Sequence, residues 1–289
     1  MDMRAIGLGL AFAFIWSSAF TSARIIVADA TPLFILSMRY LVSGLIGVGV
    51  ALALGQSWRL TASQWRATIA FGVLQNAVYL GLFFVAMQTI EASLAAIIAS
   101  AMPLMVAIAS WIFFRERLGA VGLIGLVAGV AGVALIMGSR LSAGVDLMGV
   151  AICFVGVLAL TFATLTVRGA SSGGNLLMVV GLQMLVGFVA LSVATLLFET
   201  PQVTPSWPLA IAFIYTCLAP GLLATWIWFQ LVGHIGATRA ATFHFLNPFF
   251  GVAIAAVLLG ETLGPRDVIG VAIIAAGILA VQISRQRSA

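Results

Sequence analysis

Lysine is absent from this 289-residue sequence, and its thirteen basic side chains are all arginine. Without lysine there can be no Walker-type GxxxxGK[ST] loop, whose chemistry needs that ammonium on the phosphates. Charge of either sign is scarce, with Asp, Glu, Lys and Arg together at 7%. The arginines stand singly in short connections, so the net charge of +5 makes no nucleic-acid surface. Cysteine is limited to Cys153 and Cys217, both inside apolar runs. That excludes a disulfide framework and a metal site. No cofactor is expected.

What remains is apolar. Hydrophobic residues make up 63% of the chain, more than a soluble core of this size can hide, so the solvent is lipid. Ten runs are long enough to cross about 30 Å at about 1.5 Å per residue: about 5–27, 33–54, 66–87, 92–114, 119–138, 147–168, 176–198, 208–232, 238–259 and 267–284. They show no period-2 alternation, which excludes a barrel and leaves an all-α membrane protein. Val27-Ala28-Asp29-Ala30 faintly imitates a signal-peptidase site, but the run before it is too long for an h-region.

The runs repeat. Pro248 follows Pro103 by 145 residues, as Glu261 follows Glu116. At the same offset stand Ile90/Ile235, Ala92/Ala237, Leu118-Gly119/Leu263-Gly264, Ile124-Gly125/Ile269-Gly270 and Gly132/Gly277. Two five-helix repeats are expected, over 1–138 and 147–289. Five is odd, so the second repeat enters the membrane from the opposite side. With the N-terminus inside, Arg4, Arg59, Arg66, Arg115, Arg117, Arg168, Arg239, Arg285 and Arg287 lie on inner connections and only Arg24, Arg140 and Arg266 on outer ones. Both termini are then cytoplasmic. Inverted repeats about an axis in the membrane plane are the pattern of secondary transporters and suit alternating access.

Several positions are candidates for function, each with a plainer reading beside it. Pro103 and Pro248 break their helices near the middle, as hinges, as exposed carbonyls at a binding site, or as packing kinks. Glu116 and Glu261 precede Arg-Leu-Gly and Thr-Leu-Gly, where a carboxylate suits the N-cap of the next helix. At depth only Arg39 and His244 are charge-bearing residues. Proton-driven pumps keep Asp or Glu relays there, so a neutral or zwitterionic cargo fits better. His244, whose counterpart is Ala99, suits cargo selection or a bond to a neighbouring carbonyl. Arg39, seven residues after Pro32, is open to snorkelling, to pairing with Asp29, or to an architectural bond, since its counterpart is Gln183. Asn76, Tyr79 and Phe83 share one α-helical face. Trp16, Ser17 and Ser18 interrupt the first run, and Trp226, Trp228 and Gln230 the eighth. Such planes with polar partners suit an apolar or aromatic zwitterion, against an interfacial belt formed by Trp58, Trp65 and Trp207. Gly122, Gly125, Gly129 and Gly132 form a small-residue face for packing within the monomer or for dimerisation.

Trp16-Ser17-Ser18-Ala19-Phe20, Pro32 with Arg39-Tyr40, Pro103, Glu116 and Gly125–Gly132 together resemble the EamA-type branch of the drug/metabolite transporter superfamily. Within it the chain looks like the YddG-type aromatic amino-acid exporters. The resemblance implies ten helices around a central cavity lined by the first, third, fourth, sixth, eighth and ninth, and a bacterial inner-membrane location. It points to Trp16, Ser18, Tyr79, Pro103 and Pro248, with Asn76 and His244. Phe83 and Trp228 complete the expected substrate set. The second repeat has no Trp-Ser-Ser, and the first helix lacks the acid kept by small-multidrug relatives. The expected activity is export of neutral, aromatic or other apolar amino acids, by facilitated passage or exchange, with a monomer favoured. Another metabolite or a drug is the alternative cargo. An intramembrane enzyme or signalling scaffold is the alternative class, but His234, His244 and two separated thiols make a poor catalytic set.

Overall fold

The computed structural model describes residues 3–115, 119–142, 144–166, 174–236 and 240–288. Among them ten helices are long and apolar enough to cross a membrane: α1 (Met3–Asp29), α2 (Pro32–Ala53), α3 (Ala62–Ala86), α4 (Ala92–Phe114), α5 (Ala120–Arg140), α6 (Leu147–Thr166), α7 (Leu176–Phe198), α8 (Trp207–Ile235), α9 (Ala241–Leu259) and α10 (Pro265–Ser284). Apart from one bridge, Ala30 with Val203, the described residues carry no β-pairing. Apolar side chains cover the outer faces, with Leu196 83% and Val257 81% exposed. Water would not tolerate that surface on a monomer, whereas lipid tails do.

Helix starts are set by polar caps. Thr61 and Gln64 form a reciprocal capping box, so α3 opens at Ala62 rather than at 66. Its first turn is polar, and a reading by hydropathy misses it. Ser206 receives the Leu209 amide at the start of α8 and itself donates to Asp29. Asp146 receives the Met148 and Gly149 amides and the Thr89 hydroxyl. Chiefly that hydroxyl holds the Asp146 carboxyl below its ordinary value.

The helices gather into two compact units, neither of them a contiguous half of the chain. One comprises Met1–Thr21, Thr89–Phe154 and Leu223–Ala289, the other Ser22–Gln88 and Val155–Leu222. In the second unit α2 and α7 lie side by side and antiparallel. Glu199, just past α7, accepts the Leu33 and Phe34 amides at the start of α2. Gln56, just past α2, accepts the Met178 amide at the start of α7. Toward the Gln56 end, Gly47 and Gly181 let the backbones touch: a Cβ on Gly181 would meet the Val48 nitrogen at 2.7 Å.

In the first unit α5 and α10 form the corresponding antiparallel pair. A Cβ on Gly125 would meet the Gly277 carbonyl oxygen at 2.8 Å, and one on Gly132 the Gly270 oxygen at 3.0 Å. Each glycine touches the repeat counterpart of the other, which is the signature of a local two-fold. Helices α4 and α9 are antiparallel as well, since Glu261 reaches Ala92 and Gly251 faces Ala96. Counterpart helices run in opposite directions, so the fold is two inverted repeats. The small-residue face of α5 is filled by the chain's own α10 and by Leu104, which lies against Gly129.

Three expectations change here. Glu261 does not cap the helix that follows it. Its two carboxylate oxygens accept the Ala92 and Ser93 amides at 2.7 and 2.9 Å, opening α4, while Asp267 receives the Gly264 amide near the start of α10. Glu116 lies outside the described residues. Arg39 does not pair with Asp29, which takes the Ser206 hydroxyl, nor does it snorkel. It is 7% exposed, with its guanidinium 5.0 Å from the Tyr40 ring centroid. Near the outer ends expected from the arginines, Arg140 instead bridges Glu91 and Asp267, tying α5, α4 and α10 together.

Candidate functional site

Both proline helices are interrupted just before their proline. α4 consists of Ala92–Ser100 and Met102–Phe114, with Pro103 second in the latter piece. In α9 a 3₁₀ segment, Ala241–Leu246, precedes Asn247–Leu259, with Pro248 again second. Proline at that position needs no amide partner, so each span becomes two half-helices meeting at a bend. At the α9 bend the Ser17 hydroxyl donates to the Asn247 carbonyl at 3.2 Å. Gly9 brings α1 hard against α9, since a Cβ there would overlap the Phe243 ring.

That docking assembles an aromatic group within the first unit. The Phe12 ring lies 4.8 Å from Trp228, 5.3 Å from His244 and 5.6 Å from Trp16 by centroid. His244 presents its plane to Phe12 edge-on, at 88°, and lies 5.3 Å from Trp228. The Asn247 amide donates to His244 Nδ1 at 3.0 Å, an assignment that places the ring proton on Nε2. Asn247 Oδ1 is buried with no hydrogen-bond partner among the described residues. Two apolar planes, Phe12 and Trp228, thus flank the His244 ring, and Trp16 extends the group beyond Phe12.

Of the expected residues, Trp16, Trp228 and His244 meet here. Ser18 lies on the same helix but turns its hydroxyl to the Ile15 carbonyl at 2.6 Å. Asn76, Tyr79 and Phe83 belong to the second unit. The α-helical spacing that grouped them does not run through this segment, because Gly72–Tyr79 is π-helical. Asn76 donates to the Gln183 carbonyl at 2.9 Å and is pressed onto Gly187, so it locks α3 to α7. Tyr79 and Phe83 remain neighbours, ring centroids 4.7 Å apart, and both are buried.

Two features escaped sequence reasoning. Phe12, the centre of the aromatic group, is one apolar residue among many and carries no pattern. A second π segment, Cys217–Leu223, begins 145 residues after the first and contains Pro220. Mid-helix Pro220 was a readable signal for this one, whereas Gly72–Tyr79 has no such mark. Single wide turns of this kind recur at functional sites. No group of three or more His, Cys, Asp or Glu among the described residues could hold a metal.

The model of the EamA-like transporter family matches the chain twice, over residues 3–138 and 147–283. An uncharacterized transporter of Bacillus subtilis, YvbV, is 26% identical over 92% of this chain and 87% of its own length. An uncharacterized transporter of Synechocystis is 23% identical over 90% of this chain and 84% of its own. A WAT1-related chloroplastic protein of Arabidopsis thaliana is also 23% identical, over 90% of this chain and 65% of its own length. A crystal structure, 19% identical, superposes over all of both chains with a TM-score of 0.71 and shows the same fold.

Proposed function

The chain belongs to the EamA-like transporter family, and from that premise we propose that it exports neutral, aromatic or other apolar amino acids across a bacterial inner membrane. Both termini face the cytoplasm in this reading, as the arginine bias requires. The observation that carries the cargo class is the group formed by Phe12, Trp16, Trp228 and His244 beside the unmet Asn247 oxygen. Aromatic planes give an apolar side chain its contact area, while the polar pair at the bend fixes orientation. The two proline-marked half-helix junctions supply bends at which a small rotation changes access, and the inverted repeats make the two states near-equivalent. Among the described residues no Asp or Glu sits mid-span in a titratable relay, so passage runs down the cargo gradient or by exchange.

Counterflow in proteoliposomes tests this. Vesicles preloaded with phenylalanine should take up labelled phenylalanine, and equilibration should survive collapse of the proton gradient. Phe12→Ala and Trp228→Ala should each weaken apparent affinity about tenfold, the loss expected for a good aromatic contact. If neutral amino acids never exchange, the cargo assignment is wrong. Accumulation that depends strictly on ΔpH and vanishes in His244→Ala would replace it with proton coupling.

A further inference from the structure

The turn from α2 into α3 is pinned almost amide by amide. Leu54 and Gly55 donate to the Val50 and Leu52 carbonyls, and Gln56 to that of Ala51. The Ser57 amide donates to Asn175 Oδ1 at 2.8 Å, Arg59 to the Ser57 hydroxyl and Leu60 to the Trp58 carbonyl. Thr61 and Gln64 close the turn as a capping box. Held this firmly, the turn nevertheless leaves Trp58 61% exposed, with Arg59 and Arg66 exposed and Trp65 half-buried. Side chains on a helix lean toward its N-terminus, so Trp65 and Arg66 project back to the level of the turn. The exposed apolar side chains end there on both flanks, at Leu52 and Leu54 of α2 and at Ile69 of α3. Two Trp-Arg pairs therefore stand at the edge of the apolar belt.

No acid of this unit meets these cations. Its acids are Asp29 and Glu199, which take the Ser206 hydroxyl and the Leu33 and Phe34 amides. Both lie at the other end of α2, whose 22 residues span about 33 Å at about 1.5 Å per residue. Neither Arg59 nor Arg66 belongs to an ion pair among the described residues. We propose that this corner binds the headgroup of an anionic phospholipid, with the phosphate held by Arg59 and Arg66 and the Trp58 indole at the glycerol level. Guanidinium forks match phosphate oxygens, and indoles favour the headgroup boundary. An anionic leaflet brings phosphate to this depth. A soluble anion would use the guanidinium groups and leave the indoles without a purpose. The inference goes beyond transport and does not depend on the cargo.

The test is native mass spectrometry of the full chain released from detergent, titrated with phosphatidylglycerol or with phosphatidylcholine of the same acyl chains. The wild type should retain phosphatidylglycerol at the lower concentration. Arg59→Gln and Arg66→Gln should each weaken that retention about fivefold, the worth of one arginine near an anionic surface, and together about 25-fold. Arg59→Lys with Arg66→Lys keeps the charge but loses the forks, so its loss should be smaller than that of the double glutamine variant. Trp58→Ala should also weaken retention. Arg4→Gln, at an exposed arginine of the other unit, should leave it unchanged. The proposal falls if phosphatidylcholine binds equally, if the double glutamine variant keeps phosphatidylglycerol, or if Arg4→Gln loses as much. It falls too if inorganic phosphate at matched concentration displaces the lipid, which would mark a soluble-anion site. Thermal unfolding checks that each variant folds, and should the double variant fail, the two single variants decide.

Discussion

Gly277→Ala adds one methyl to a helix interior, a change that favours a free helix by about 1 kcal/mol. In this fold it should do the opposite. The new Cβ would lie 2.6 Å from the Gly125 oxygen, 2.7 Å from the Gly129 nitrogen and 2.8 Å from the Gly129 Cα. All three are backbone atoms, so no rotamer change relieves the overlap. Ordinary contact begins near 3.5 Å, and α5 and α10 must part by several tenths of an ångström along their shared face. Overpacking of that kind costs about 1–3 kcal/mol, and after the propensity gain the net loss is up to about 2 kcal/mol. Gly138→Ala, on α5 with nothing within 4 Å of its would-be Cβ, should instead stabilise by about 0.5–1 kcal/mol. Thermal unfolding in detergent, followed by far-UV circular dichroism, reads both. If the two variants shift the midpoint in the same direction, the close antiparallel contact of α5 with α10 is wrong.

Two further outcomes follow from the helix caps. Glu261→Ala should destabilise by about 2–3 kcal/mol, the loss of a charge-assisted cap on two amides, and faster hydrogen exchange should appear at Ala92 and Ser93. Faster exchange confined to the start of α10 would mean that the carboxylate serves the following helix after all. The Asp146 carboxyl is held below its ordinary value, first by the Thr89 hydroxyl, so its stabilising contribution is present above the unfolded carboxyl's value and fades as pH falls through the lowered one. The midpoint difference between wild type and Asp146→Asn should therefore shrink on acidification, and a difference that grows at low pH would refute the assignment.

How far the residues could be read in advance differs from element to element. The spans were legible because lipid demands about twenty apolar residues whatever their order, and only the polar first turn of α3 misled the reading. Trp16, Trp228 and His244 could be singled out because polar or aromatic groups stand out in an apolar run, and the structure places each of them near Phe12. Phe12 was not, since apolar residues can face lipid, core or cargo with the same composition. Glu261 was legible as a cap, but the helix it serves starts 169 residues earlier. Asn76 and Tyr79 were placed by the α-helical period, and the π turn broke that period.

Taken alone, the sequence determined ten spans and two copies of one five-helix pattern, because hydrophobic length and proline or glycine spacing are written residue by residue. Tertiary structure alone decided which termini close one another, as with Gln56 on α7 and Glu199 on α2. It also decided that Arg39 is buried and that Phe12 gathers the aromatic rings. These depend on distances between residues far apart in the chain, and no local pattern encodes which buried surface a side chain will meet.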